Sequence, residues 1–161
     1  MLPVRVSQSF NLQSGAFTVL VFHTVVFLSL IHSCRGQHKV VCLTETIVAM
    51  VDEDVIFPCH LDPVMDAFGL TLEWGRPDLN PRFVLVRRDG KEIESMKHPS
   101  YEGRTSLFTD QLKQGNISLK LSKVKLSDEG RYRFFSPQLG ETAVQLVVGK
   151  WEHFVLKVIY I

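Results

Sequence analysis

The chain has 161 residues, 45% of them hydrophobic, and 18 Lys and Arg against 17 Asp and Glu leave a formal net charge of +1. That length holds one ordinary domain and little else, and so balanced a charge sets up no field to attract nucleic acid or anionic lipid. Acidic and basic residues are interspersed, as in Lys91-Glu92 and Asp128-Glu129-Gly130-Arg131, the pattern of a solvated mixed surface, so no nucleic-acid partner is expected.

The N-terminal segment stands apart. Met1 to Gly15 is polar with Arg5 as its only charged side chain, and an uncharged apolar run follows from Ala16 to Ile31, ending at Ser33-Cys34-Arg35-Gly36. A positive start, an apolar middle and small residues at the exit are the layout of a secretory signal peptide over residues 1–36, cleaved after Gly36 to leave Gln37 first. The alternative is an uncleaved anchor, because the run approaches the ~17 to 25 residues of a spanning helix. Position and the interruption at His23 favour the signal peptide. Cys34 then leaves with the leader, and Cys42 and Cys59 remain in a compartment where disulfides form.

From residue 37 to 149 the pattern is of short strands with turn punctuation. Val40 to Val51 is rich in β-branched residues, and Asp52-Glu53-Asp54 turns into a second strand, Val55 to Cys59. Leu70 to Trp74 alternates apolar and polar at a period of two. Asn80-Pro81 precedes Phe83 to Val86, and Asp89-Gly90 is a hairpin signal because both residues tolerate positive φ. Ser106 to Phe108 is a weaker strand, Ile117 to Leu121 alternates cleanly, and Arg131 to Phe135 is separated by Gln138-Leu139-Gly140 from Ala143 to Val148. Eight or nine such strands at near-regular spacing predict an all-β sandwich or barrel. The tail, residues 150–161, is apolar, charge-interrupted and too short to span a bilayer, and its structure is left open between an added strand and a frayed end.

Cys59 ends the second strand, Trp74 lies on the third, Arg104 sits in Tyr101-Glu102-Gly103-Arg104-Thr105, and Leu126-Ser127-Asp128-Glu129-Gly130-Arg131-Tyr132 opens the penultimate strand. With Cys34-Arg35-Gly36-Gln37 and Arg87-Arg88-Asp89-Gly90-Lys91, this order resembles a variable-type (V-set) immunoglobulin domain of the butyrophilin and myelin oligodendrocyte glycoprotein family. The resemblance implies a two-sheet antiparallel immunoglobulin V-type sandwich with Greek-key connections. It makes Trp74 the core filler, with Tyr132 and Phe134 supplied from the opposite layer. Tyr132 becomes the corner tyrosine whose hydroxyl returns to nearby backbone, and Arg104 with Asp128 an ion pair closing one end.

One departure follows. Where the resemblance implies a second cysteine stands Phe134, so the inter-sheet bridge from Cys59 cannot form. Cys59 is then expected as a buried, inert thiol beside Phe134, the alternative being a Cys42–Cys59 bridge. On the first reading, Phe134→Cys raises the melting temperature.

No phosphate loop, metal-spaced Cys/His cluster or triad stands out; His38, His60, His98 and His153 are dispersed, and no catalysis, metal or cofactor is expected. Asn116-Ile117-Ser118 is an N-glycosylation sequon at a turn, expected to be exposed and occupied. For recognition, the resemblance points to the outer face of the sheet holding Trp74, with the loop Ser136 to Gly140 at its rim. If Trp74, Tyr132 and Phe134 point inward, then Glu73, Arg133, Phe135 and Gln145 point outward. The resemblance implies a secreted or externally displayed protein that binds a receptor on lymphocytes and regulates T-cell activation and cytokine production. Homophilic adhesion, with self-association, is the alternative; a truncated soluble fragment is a third, since no anchor follows Val148.

Overall fold

The structure is a computed structural model that describes residues 19–26 and 38–149. The chain falls into two units, Met1–Gly36 and Gln37–Ile161. In the first, residues 19–26 are helical, and among the described residues no helix is long and apolar enough to cross a membrane. The cleavage point after Gly36, Cys34, His153 and the tail from residue 150 lie outside the described residues.

Among its described residues the second unit contains eleven strands: β1 Lys39–Cys42, β2 Thr46–Met50, β3 Val55–Phe57, β4 Cys59–Asp62, β5 Leu72–Gly75, β6 Phe83–Arg88, β7 Lys91–Glu92, β8 Thr105–Leu107, β9 Leu119–Leu121, β10 Gly130–Ser136 and β11 Gly140–Gly149. Six of them form one sheet in the order β2-β11-β10-β5-β6-β7, while β3-β9-β8 and β1-β4 make up the opposing layer. All pairs are antiparallel except β2 with β11. This is the two-sheet immunoglobulin sandwich.

Two continuous stretches of the sequence are divided, each for a local reason. Val40 to Val51 splits because the chain crosses between layers: β1 pairs with β4, and β2 pairs with β11. Val55 to Cys59 splits at Pro58, which has no N–H to give a ladder. At Asp89-Gly90 the φ angles are 49° and 75°, the doubly positive backbone of a tight turn between β6 and β7.

The core contains Phe57, Leu61, Trp74, Tyr101, Ile117, Leu119, Leu121, Tyr132 and Phe134, each at most 1% exposed. Trp74 and Phe134 are directly opposed on β5 and β10, so Tyr132 and Phe134 share a sheet with the indole. This corrects the expectation that they come from the other layer. The other layer supplies Phe57, 5.9 Å from the Trp74 ring and 4.6 Å from that of Tyr132, and the Ile117 carbonyl, which accepts from Trp74 Nε1 at 3.2 Å. Phe134 meets the indole edge-on at 5.4 Å, a favourable aromatic geometry.

The expected inert thiol is also corrected. Cys42 and Cys59 stand opposite each other on β1 and β4, with Cα atoms 4.0 Å apart, and are joined by a disulfide. The bridge ties two strands of one layer and leaves the space between layers to aromatic rings. Phe134→Cys therefore has no unpaired Cys59 to meet, and the expected gain in melting temperature does not follow.

Candidate functional site

Alternation on β10 turns Tyr132 and Phe134 into the core and Arg133 and Phe135 to the outer face. Register then places their neighbours: Phe135 is opposite Glu73 on β5 and Glu141 on β11, and Arg133 is opposite Gly75 and Ala143. The Arg133 guanidinium lies 5.6 Å from the centroid of the half-buried Phe135 ring and pairs with Glu141. With Glu73, Gly75, Pro77, Arg82 and Phe83, these two residues line a recess of about 190 Å³.

Glu73 does not present its carboxylate as alternation alone suggests. It lies on this face but is 9% exposed, held by Arg88 at 2.9 Å and Arg82 at 3.8 Å. A carboxylate beside two guanidiniums is covered by them, and the charge offered outward is that of Arg82 and Arg88. Gln145 is not part of this cluster. It pairs with Arg131, further along β10, is half-buried, and its Nε2 donates to the Leu146 carbonyl at 3.3 Å. In the β10–β11 hairpin Leu139 turns inward at 6% exposure, leaving Pro137 and Gln138 exposed at the rim.

Beneath one end of this face lies a hydrogen-bonded network. Arg104 Nη1 donates to Asp128 Oδ1 at 3.3 Å and its Nη2 pairs with Oδ2; the same guanidinium donates to the Ser100, Ser122 and Lys123 carbonyls. Tyr132 donates its hydroxyl to the Asp128 carbonyl at 2.8 Å. Two members were not singled out in the sequence: Tyr101, 2.9 Å hydroxyl to hydroxyl from Tyr132, and Arg76, which donates to Tyr101 at 3.0 Å, to the Ser127 carbonyl at 2.7 Å and to Asp78 at 2.5 Å. Burial pushes the Tyr101 and Tyr132 hydroxyls above the ordinary tyrosine range, so both stay protonated donors. Gly130 is required here: its φ is 150°, and a Cβ would sit 2.9 Å from Arg76 Nη2.

Asn116 is half-buried, its Nδ2 donating to Gln111 Oε1 at 2.6 Å and its Oδ1 accepting from Ser118 N at 2.9 Å. Among the described residues no group of three or more His, Cys, Asp or Glu is placed to hold a metal.

The family model described as Immunoglobulin V-set domain matches residues 44–143. Human butyrophilin subfamily 1 member A1 is 36% identical over 77% of this chain and 23% of its own length. Human myelin-oligodendrocyte glycoprotein is 33% identical over 71% of this chain and 46% of its own. The crystal structure of bovine butyrophilin superposes with a TM-score of 0.65 at 36% identity, covering 71% of this chain and 56% of that one. The chain thus spans less than half the length of the curated relatives it matches.

Proposed function

Because the chain belongs to the immunoglobulin V-set family, a family of binding domains, we propose that it acts by binding another protein through the outer face of its six-stranded sheet. The observation that carries this reading is the grouping of Phe135, Arg133 and Arg82 around one recess on that face. An accessible aromatic ring flanked by guanidiniums is the residue combination that dominates binding hot spots. The aromatic supplies apolar area at little entropic cost, and the arginines supply forked donors for acidic or carbonyl groups of a partner.

In the finer reading, supported by the likeness to butyrophilin, the partner is a receptor on lymphocytes and the outcome is regulation of T-cell activation and cytokine production. Residues 1–36 act as a signal peptide on this reading. The domain is displayed on the external side of the plasma membrane or secreted, and Asn116 carries a glycan. The test is staining of lymphocytes by the wild-type protein and by Phe135→Ala. The expected result is at least a tenfold loss of binding with an unchanged melting temperature. Equal staining by both proteins overturns the assignment of this face. Reversible self-association in sedimentation, abolished by the same substitution, points instead to homophilic adhesion.

A further inference from the structure

Arg87 continues the inner side of β6, in register with the core residue Leu72, and is 6% exposed. Its guanidinium carbon lies 4.9 Å from the centroid of the Phe68 ring. No carboxylate pairs with it: Glu92, its partner in register on β7, is taken by Lys97 at 2.6 Å, and Glu73 is taken by Arg88. Its Nε is enclosed without a hydrogen-bond partner, and among the described residues the guanidinium makes neither hydrogen bond nor ion pair. A second cation, the Lys113 ammonium, lies 5.9 Å from the same ring. Phe68 itself is 40% exposed.

A largely buried guanidinium without a counter-charge, its Nε enclosed and unpartnered, is costly, and a second cation beside it adds to that cost. Both costs fall when an anion arrives. We propose that Phe68, Arg87 and Lys113 form an anion-accepting site between the β4–β5 loop, the β6–β7 turn and the β8–β9 loop, and that its ligand is a single carboxylate of a protein partner. The guanidinium fork suits a planar carboxylate, and the aromatic face beside it suits the methylene stem of an acidic side chain. Two cations with Asp66 and Asp89 nearby form no track for a polyanion: Asp66 Oδ1 accepts from Phe68 N at 2.7 Å, and Asp89 precedes Gly90, whose position abuts the Phe68 ring.

That a protein carries the carboxylate rests on the proposed binding function; the site itself does not. The test follows the Arg87 Nε–Hε resonance of ¹⁵N-labelled protein during titration with sodium acetate, and with sodium chloride and sodium sulfate at matched ionic strength. Acetate is expected to give a saturable shift that chloride does not, with affinity about threefold weaker in Lys113→Gln, the order of one partly screened charge pair. Equal responses to acetate and chloride overturn the site. A response to sulfate alone overturns the carboxylate assignment. Lys113 is exposed, so its variant folds even if Arg87→Gln does not. A saturable acetate shift combined with unchanged lymphocyte staining by Phe135→Ala leaves this site standing and removes only the outer-face reading.

Discussion

The two ends of β6 treat buried arginine in opposite ways. Near its start, Arg76 is 4% exposed and each guanidinium nitrogen has an acceptor; on the same side of the domain Arg104 is clamped to Asp128 and three carbonyls. Near its finish, Arg87 is buried to a similar degree with an aromatic ring and no acceptor. Burial alone therefore does not say what an arginine does. Paired, it organises the turn that opens β10; unpaired, it is a cost to the fold that a ligand can relieve.

The comparison is tested most severely at the paired end. Asp128→Asn removes the charge opposite Arg104, whose side chain is 12% exposed, while the Asp128 side chain is 2% exposed. Breaking a buried pair on one side costs about 3 to 5 kcal/mol. Urea denaturation should show a loss of that size, and a loss below about 1 kcal/mol, the value of a surface pair, means the pair is no better than solvated.

The disulfide gives the next largest effect. Cys42→Ala opens the bridge between β1 and β4 while leaving Trp74, Phe134 and Tyr132 in contact. Releasing a loop of this size costs about 2 to 4 kcal/mol. The expected result is a lower urea midpoint with an unchanged near-ultraviolet aromatic spectrum. Collapse of that spectrum shows that the aromatic core depends on the bridge. Phe134→Cys alone is also expected to destabilise, by about 3 kcal/mol, since a buried ring is replaced by a small side chain.

A smaller effect comes from acid and base. Hydrogen bonds from Arg76 hold the Asp78 carboxyl below its ordinary value, and those from Lys97 do the same for Glu94. Their contribution is complete above the unfolded values of about 4 and fades as pH falls through the lower folded ones. Burial pulls the Lys97 ammonium down, but hydrogen bonds to Glu92 and Glu94 outweigh it and raise it. That contribution is complete below about pH 10 and fades as pH rises through the raised value. Asp78→Asn should flatten the acid limb of a stability–pH curve by a fraction of a kcal/mol, because Asp78 is largely exposed. An unchanged limb shows that the Arg76 bond contributes nothing there.

How much of this was legible follows from the kind of signal each feature leaves. The resemblance implied that Trp74, Tyr132 and Phe134 face inward, and period-two alternation then turned Phe135 outward, because alternation is a property of the strand itself. It could not say which sheet each ring belongs to: β5 and β10 are far apart in sequence and meet only by topology. The Cys42–Cys59 bridge depends on the register between β1 and β4, which spacing does not encode. Arg76 and Phe68 carried no motif, and the motif that holds Arg87 gave its side chain no role. Arg76 reads as one more loop charge, and Arg87 is marked only by its place in Arg87-Arg88-Asp89-Gly90, where the turn signal draws attention from the side chains before it.

The smallest expected effect is the most informative about the unpaired end. Arg87→Met keeps a long, flexible side chain over Phe68 and removes the charge and its enclosed Nε. Breaking the Arg104–Asp128 pair from either side costs several kcal/mol because a buried charge is left without its partner. Here nothing is left orphaned, since no carboxylate depends on Arg87, and sulfur–aromatic contact replaces part of the stacking. The expected change in unfolding free energy is within about 1 kcal/mol of zero, with a stabilisation permitted by relief of the uncompensated charge. A loss of 3 kcal/mol or more shows that Arg87 is held by partners within the fold, and the contrast between the two ends disappears. The melting temperature in added acetate separates the remaining causes: it rises for the wild type and stays flat for Arg87→Met if the guanidinium is what the anion binds.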